Sequence, residues 1–460
     1  MSAAVDVVSL LPIAMLVALV ALLFSGFPVA FVLIGVGSSF AFLGIALSAF
    51  SPAQFAIFPL RIIGTVAENN IFAAVPMLVF MGVGLERSGI GQEMFACMRI
   101  LLRRVPGGLL VSVVLVGLVF APTTGMVGAS VGLLTALALP IMLAERYDPA
   151  LAAGTVAASG TIGIVMPPAV MLFFLADLFG ANVAAIFLGA LVPVGLLSVL
   201  FVAYVAARAV LDPVGVPRPK ADGTTLSWSE LAALSARSLV LPGLVLALLF
   251  ASIIAGWATP VESSSVAAAA TVLVMALNRS LSVAAVKDVI LKTARITAMV
   301  FAIVVGATVF SFCFRLYGGD DLIVALLRDL GVGDLALLAA VMAVVFFLGF
   351  FLDWIEIVFV SLPIMMPVLG KLDLSAYVAQ PGFATTWIAI LLALNLQTSF
   401  LTPPFGFALF FVKGSAPSSL GMGEIYRGVL PFIAIELLVI GAVALFPALV
   451  TWLPARYVQL

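Results

Sequence analysis

Two stretches of the sequence, AASGTIGIVMPP at 157–168 and LNLQTSFLTPPF at 394–405, have the same pattern of residue types. Each combines apolar residues with small and polar ones and then reaches two adjacent prolines, Pro167–Pro168 or Pro403–Pro404. Proline lacks an N–H group and clashes with the preceding turn, so a proline pair interrupts a helix and frees backbone carbonyls. Two such interruptions at matching places in the chain indicate an internal repeat built around discontinuous helices.

The composition excludes an ordinary soluble fold. Hydrophobic residues make up 65% of the 460 residues and charged residues only 9%, whereas soluble domains carry about 25% charged residues. The formal net charge of −1 predicts no basic surface for nucleic acid. The chain has no histidine, which removes the commonest metal ligand and proton relay.

The apolar runs predict an all-α polytopic membrane protein, because many of them reach the roughly 20 residues that cross a hydrocarbon core. Spans are predicted near 8–25, 27–48, 71–86, 149–178, 182–207, 239–256, 260–277, 296–316, 383–411 and 428–453. Three amphipathic segments, 52–67, 90–104 and 281–294, are predicted to lie in the membrane interface. The distribution of Lys and Arg places the loop 208–229 in the cytoplasm and both termini outside.

Two further apolar stretches, 107–144 and 334–370, predict re-entrant hairpins. They are interrupted near the middle by APTTG at 121–125 and by GFFLDWIE at 349–356. Non-helical backbone at membrane depth is tolerated only when it is buried in protein or lines an aqueous cavity. The two hairpin tips are therefore candidate functional sites by position.

The repeat extends over the whole chain. LPIM occurs at 139–142 and at 362–365, at the end of each predicted hairpin, and each proline pair is followed by a further proline, Pro193 or Pro431. We therefore predict two halves, 1–229 and 230–460, each with five spans and one hairpin. An odd number of crossings turns the second half upside down, and inverted repeats with broken helices are typical of secondary transporters, with the site where the repeats meet.

Four interruptions are predicted to form the site, two in each half. Freed carbonyls and hydroxyls are hard oxygen ligands for an alkali cation, and helix ends favour an anionic substrate. The residues at these interruptions are Pro122, Thr123, Thr124, Gly125, Ser159, Gly160, Thr161, Gly163, Gly349, Asp353, Trp354, Glu356, Gln397, Thr398, Ser399 and Thr402. The alternative for any one of them is a structural kink satisfied by neighbouring helices.

Acidic residues inside apolar runs are functional candidates by default. Asp353 and Glu356 lie at a predicted hairpin tip and are the better candidates, whereas Asp177 and Glu262 fall near span ends. Glu436 lies deeper in the last span, where it would equally anchor a helix contact or a partner subunit, and the sequence assigns it no role.

The chain resembles the large membrane subunit, the M or DctM-like subunit, of tripartite ATP-independent periplasmic (TRAP) transporters. The matching stretches are VPMLVFMGVGLERSG at 75–89, FAPTTGMVGAS at 120–130, AASGTIGIVMPP at 157–168, LGFFLDWIEIVFVSLPIMMPV at 348–368 and LNLQTSFLTPPFGFALFFVKGSAP at 394–417. The last stretch is similar to the branch associated with 2-oxo acids, lactate and related organic acids. C4-dicarboxylates are a further candidate class.

The resemblance implies an elevator-type carrier driven by a sodium gradient in the bacterial inner membrane, surrounded by membrane lipid. It also implies a periplasmic substrate-binding protein (P-type) and a separate small four-helix membrane subunit (Q-type). Carried over to this sequence, one Na+ and substrate site would comprise Thr123, Thr124, Gly125, Ser159, Gly160, Thr161 and Gly163. Its counterpart would comprise Gly349, Asp353, Gln397, Thr398 and Thr402.

Three other classes of protein are alternatives to this family. A stand-alone ion-coupled organic-anion carrier of the same fold would share the hairpins and need no partner subunits. An intramembrane enzyme would want a Ser–His or paired-Asp arrangement or a metal site, and the sequence offers none. A channel would predict a filter or a ring of charges rather than two opposed hairpins.

Overall fold

The computed structural model describes residues 2–49, 51–217, 227–328 and 332–458, and the side chains of 2–9, 55, 121–124 and 326–328 are outside that description. Within the described part the chain is helical and contains no strand. The middle of the predicted loop 208–229 (residues 218–226) lies outside the described residues.

The α-helices are Ser2–Leu23, Val29–Ala46, Pro52–Phe55, Phe58–Ile62, Asn70–Arg87, Ile90–Leu101, Gly108–Thr124, Val127–Ala144, Pro149–Thr161, Val170–Leu178, Val183–Leu211, Trp228–Ser235, Leu241–Ile254, Pro260–Leu277, Val283–Leu316, Gly319–Arg328, Asp334–Leu348, Trp354–Glu356, Leu362–Leu369, Ala384–Leu401, Phe407–Ser415, Met422–Leu445, Ala448–Thr451 and Pro454–Tyr457. Short π-helical segments are Ile63–Ala67, Ala236–Val240 and Ile357–Ser361, and 3₁₀ turns are Ile162–Ile164, Ser375–Tyr377 and Pro381–Phe383.

Nine helices in the described part are long and apolar enough to cross a membrane. They are Val29–Ala46, Asn70–Arg87, Val127–Ala144, Val183–Leu211, Trp228–Ile254, Pro260–Leu277, Val283–Leu316, Pro381–Leu401 and Met422–Leu445. This confirms the all-α polytopic membrane class. One of the nine, Val127–Ala144, is the second arm of the predicted first hairpin.

The predicted division between an interfacial segment at 281–294 and a span at 296–316 is wrong. A single helix of 34 residues, Val283–Leu316, runs through both. The stretch has no proline and its first glycine is Gly306, so nothing in the sequence ends the helix between the two parts. At 1.5 Å per residue the helix is about 50 Å long, well beyond the roughly 30 Å hydrocarbon core.

The described chain divides into two compact units. The first unit comprises the described residues of Met1–Ala73, Ala294–Val345 and Leu352–Leu374, and the second those of Ala74–Thr293, Phe346–Phe351 and Ser375–Leu460. Each unit draws on both predicted halves of the chain. The repeat boundaries at 1–229 and 230–460 stay a prediction, because they concern chain order rather than contacts.

In the first unit, small residues let two long helices pack closely. A Cβ added to Gly37 would lie 3.0 Å from the backbone nitrogen of Phe310, and one added to Gly306 would lie 2.8 Å from the carbonyl oxygen of Ala30. Tyr317 donates a hydrogen bond of 2.6 Å to the carbonyl oxygen of Phe40 in the same region. Close packing at glycine is the usual way membrane helices associate.

In the second unit, the helix Pro149–Thr161 is the most buried element. Every residue from Leu151 to Thr161 is buried, and the helix packs against Met422–Leu445 and against both Gly108–Thr124 and Val127–Ala144. A Cβ on Gly154 or on Gly428 would overlap the backbone of the facing helix. This central helix carries one of the two predicted breaks.

Candidate functional site

The first broken helix comprises Pro149–Thr161 and Val170–Leu178. Its start is set by the sequence, because Asp148 accepts a hydrogen bond of 2.8 Å from the backbone N–H of Ala150 and Pro149 occupies the first helical position. The helix tightens into the 3₁₀ turn Ile162–Ile164, which contains Gly163, ahead of a cis peptide bond between Pro167 and Pro168. The predicted break is therefore present.

The first hairpin comprises the arms Gly108–Thr124 and Val127–Ala144, and it holds the end of the first broken helix on two sides. A Cβ added to Gly117 in one arm would lie 2.5 Å from the carbonyl oxygen of Ser159. A Cβ added to Gly160 would lie 2.5 Å from Cγ2 and 2.8 Å from Cα of Val131 in the other arm. The absence of side chains at these two glycines thus lets the helix end reach between the arms.

The hairpin tip lies against the restart of the same broken helix. Gly125 ends the first arm with a φ of +64°, a conformation that favours glycine, and a Cβ there would lie 3.2 Å from Cγ2 of Val170. The structure therefore brings Gly125 together with the break, as predicted from sequence. Thr123 and Thr124 belong to the last turn of the arm, and their side chains are outside the described part.

The hydroxyl groups at the first break are buried, and their oxygen atoms keep lone pairs that are not used in hydrogen bonds. Ser159 donates to the carbonyl oxygen of Thr155 at 2.6 Å, and Thr161 donates to that of Ala158 at 2.9 Å. Both side chains are fully buried. A hydroxyl that donates its one proton to the backbone still presents lone pairs, so both oxygens can accept or coordinate.

The second broken helix comprises Ala384–Leu401 and Phe407–Ser415. Thr402 ends the first part, and a cis peptide bond joins Pro403 to Pro404. The hydroxyl of Thr402 donates to the carbonyl oxygen of Thr398 at 2.8 Å, and Thr398 donates to that of Leu394 at 3.0 Å. The second break therefore repeats the arrangement of the first, in which hydroxyl groups ahead of a proline pair donate hydrogen bonds to backbone carbonyls.

The tip of the second hairpin approaches this second break. A Cβ on Gly349 would overlap the hydroxyl of Ser399. Two residues further on, the rings of Phe351 and Phe405 lie with centroids 4.6 Å apart. These contacts bring Gly349 to the second break, and they show Ser399 to be the residue of that break that faces the tip.

Asp353, two residues along the chain from Phe351, belongs to the first unit and has a local role there. Its carboxylate accepts a hydrogen bond of 2.8 Å from the backbone N–H of Trp354, and its own N–H donates to Glu356 at 3.3 Å. The two acids form a capping box for the short helix Trp354–Glu356. Asp353 therefore stabilises a helix start, and its predicted role as an ion ligand stays a prediction.

Gln397 points away from the tip. It precedes Ser399 by two residues, which places the two side chains about 200° apart around a helix. Its Nε2 atom donates a hydrogen bond of 3.0 Å to Oε1 of Glu436, and both side chains are buried. Glu436 received no role in the prediction from sequence, although an acidic residue deep in an apolar span indicates a functional site.

The donor set at both breaks consists of oxygen atoms. Hydroxyls, freed carbonyls and an amide suit an alkali cation, whereas transition metals favour imidazole and thiolate ligands. No group of three or more His, Cys, Asp or Glu side chains that would hold a metal ion occurs in the described part of the chain. The residues present therefore fit Na+ by chemistry and by their place at interrupted helices.

The chain matches a family model described as "Tripartite ATP-independent periplasmic transporter, DctM component" over residues 16–449. It is 26% identical over 408 residues to the "C4-dicarboxylate TRAP transporter large permease protein DctM" of Pseudomonas aeruginosa, covering 88% of this chain and 91% of that protein. It is also 26% identical over 437 residues to the "Sialic acid TRAP transporter large permease protein SiaM" of Vibrio cholerae, covering 95% and 96%.

Among solved structures, the Alcanivorax borkumensis YdaH transporter matches with a TM-score of 0.59 and 16% sequence identity, covering 85% of this chain and 87% of that one. At this identity the likeness speaks for the fold alone. It agrees with the helical membrane architecture described above.

Proposed function

The chain belongs to the DctM component family of tripartite ATP-independent periplasmic transporters, and on that premise we propose that it imports an organic acid by sodium-coupled secondary transport. The family consists of transporter permeases rather than enzymes. Membership implies association with a periplasmic binding protein and usually with a small membrane subunit. The chain is a large permease subunit with multiple membrane spans.

The observation that carries the sodium proposal is the pairing of each hairpin with a helix break. Gly117 and Val131 of the first hairpin contact the helix end at Ser159 and Gly160, and Gly349 of the second contacts Ser399. At each break, buried hydroxyl oxygens and interrupted backbone come together at one place. Interrupted helices that meet in this way are where secondary transporters bind substrate and coupling ions.

An organic acid is the substrate class that these breaks favour. The amino ends of interrupted helices carry partial positive charge and attract carboxylates. The two relatives described above are named for a C4-dicarboxylate and for sialic acid, both of which are carboxylic acids. Within this class, 2-oxo acids, lactate-like acids and C4-dicarboxylates are the proposed candidates.

Family membership also supports proposals for the partner subunits, the membrane and the transport movement. The small partner is a four-helix (Q-type) membrane subunit, and the binding protein (P-type) delivers substrate from the periplasm. The assembly lies in the bacterial inner membrane, and the permease works by an elevator movement that carries the site across the lipid bilayer. These parts rest on family membership.

The proposed ion sites are tested by sodium-activation curves of uptake into proteoliposomes that contain the complete transporter. Thr161→Ala and Thr402→Ala each remove one hydroxyl ligand, so we expect the half-saturating Na+ concentration to rise about 5- to 10-fold. Thr271→Ala is the matched control, because Thr271 is also buried and donates to a helix carbonyl, that of Ala267, at 2.9 Å. If all three variants share the wild-type sodium curve, the breaks are not the coupling sites.

A further inference from the structure

Glu436 is a carboxylate buried deep in a membrane-spanning helix. Only 2% of its surface is exposed. It lies 14 residues from the start of Met422–Leu445 and nine from its end, which is about 21 Å and 13 Å along the axis. A carboxylate at such a depth is costly unless another group or ion compensates for it.

Two oxygen atoms at this position are buried without a hydrogen-bond partner. Oε1 of Glu436 accepts from Nε2 of Gln397, but Oε2 of Glu436 and Oε1 of Gln397 have no partner among the described residues. Both side chains are at least 98% buried. Unpaired buried acceptors are rare, and one cation in contact with both oxygens would satisfy both of them.

No basic side chain of the described residues forms an ion pair with Glu436. The packed helices Ala384–Leu401 and Pro149–Thr161 contain no charged residue. Arg427 lies nine residues away on the same helix, about 13 Å along its axis. Arg208 pairs with Asp148 and Asp212, and Lys413 donates to the carbonyl oxygen of Leu420.

We propose that Glu436, Gln397 and Thr398 bind one Na+ between the helices Ala384–Leu401 and Met422–Leu445, at a site separate from the hairpin tip. The ligands are the carboxylate Oε2, the amide Oε1 and the hydroxyl of Thr398, which donates its proton to the carbonyl oxygen of Leu394 and keeps lone pairs for an ion. One carboxylate balances one monovalent charge, whereas a calcium site would collect several carboxylates. This inference rests on the sodium coupling proposed above and gives Gln397 a place away from Gly349.

The site sits directly behind the second break. Gln397 and Ser399 lie on opposite faces of one helix turn, so an ion at Gln397 bridges the helix to Met422–Leu445 while Ser399 faces the tip. The ion would thereby fix the broken helix to its neighbour. It would act as a ligand that stabilises one packing of these two helices.

The test is Na+ binding by the purified transporter with its small subunit, using ²²Na+ equilibrium dialysis and Na+-dependent thermal stabilisation, with K+ as the comparison ion. We expect Glu436→Gln to bind one Na+ fewer per chain, or to need about 10- to 100-fold more Na+ for that ion. Its melting temperature without Na+ should equal or exceed that of the wild type, because the change removes an uncompensated buried charge. Gln397→Met, which keeps the volume and removes Oε1, should act in the same direction.

Glu424→Gln is the matched control, since it makes the same chemical change in the first turn of the same helix, where Glu424 accepts from the backbone N–H of Gly421. It should keep the wild-type number of bound ions. If Glu436→Gln and Gln397→Met both keep the wild-type stoichiometry and affinity, the site is refuted while sodium coupling at the breaks stands. If the wild type itself shows no Na+-specific binding, the proposed sodium coupling falls, and this site with it.

Discussion

Gly160→Ala is expected to disturb the packing of the first break against the first hairpin. The new Cβ would lie 2.5 Å from Cγ2 and 2.8 Å from Cα of Val131, whereas ordinary contacts begin at 3.4 Å. Because one of these atoms is backbone, a side-chain rotation cannot relieve the overlap. The helix end and the hairpin arm would have to separate by most of an ångström.

The magnitude follows from two opposing effects. Overpacking of a close-packed interior costs about 1–3 kcal/mol, and replacing glycine by alanine inside a helix returns up to about 1 kcal/mol. Gly195→Ala isolates the second effect, because Gly195 lies in the helix Val183–Leu211 with no atom within 4 Å of an added Cβ. We therefore expect Gly160→Ala to be less stable than Gly195→Ala by about 1–3 kcal/mol.

The assay compares thermal or denaturant unfolding of both variants in detergent, together with uptake by the reconstituted transporter. Gly160→Ala should unfold earlier and lose transport or sodium affinity, while Gly195→Ala should match or exceed the wild type in stability. If the two variants behave alike in both measurements, then Gly160 does not hold the break against the hairpin.

Two further predictions concern packing around the central helices. Gly428→Ala should destabilise the protein by about 1–3 kcal/mol, because its Cβ would overlap the backbone of the first broken helix. Gly441→Ala is the control, since Gly441 lies with Gly428 in Met422–Leu445 and its added Cβ would meet no atom within 4 Å. Comparable unfolding midpoints for the two variants would contradict this prediction. Trp387→Phe should cost about 1–3 kcal/mol, because it removes the hydrogen bond of 2.9 Å from the buried indole to the carbonyl oxygen of Val443 and leaves a cavity. Trp257→Phe, at an exposed indole, should be neutral in the same unfolding measurement.

The breaks and hairpins were predictable because proline and glycine act locally. Pro167–Pro168 and Pro403–Pro404 interrupt helices wherever the fold places them, and Gly125 ends an arm at positive φ. The contact of each tip with its own break also followed from sequence, since the repeat pairs them twice. The false division of the helix Val283–Leu316 has the opposite cause: charge patterning indicated an interface, but charge does not end a helix.

The pairing of Gln397 with Glu436 could not be predicted from sequence. It depends on the rotation of the helix Ala384–Leu401 about its axis, and that helix has no polar stripe to show which face meets which neighbour; its residues from Thr386 to Leu401 are all buried. The same rotation decides that Ser399, rather than Gln397, faces Gly349. Where a helix is buried on all sides, the periodicity of its hydrophobic residues does not indicate which face meets which neighbour.

The most direct test of the account is uptake of radiolabelled 2-oxo acids, lactate and C4-dicarboxylates into proteoliposomes that hold this chain with its small subunit. Four conditions combine the presence or absence of the binding protein with the presence or absence of an inward sodium gradient. We predict uptake only when both are present. Equal uptake without the binding protein and without sodium, or by this chain alone, would contradict the account and make the protein a stand-alone carrier.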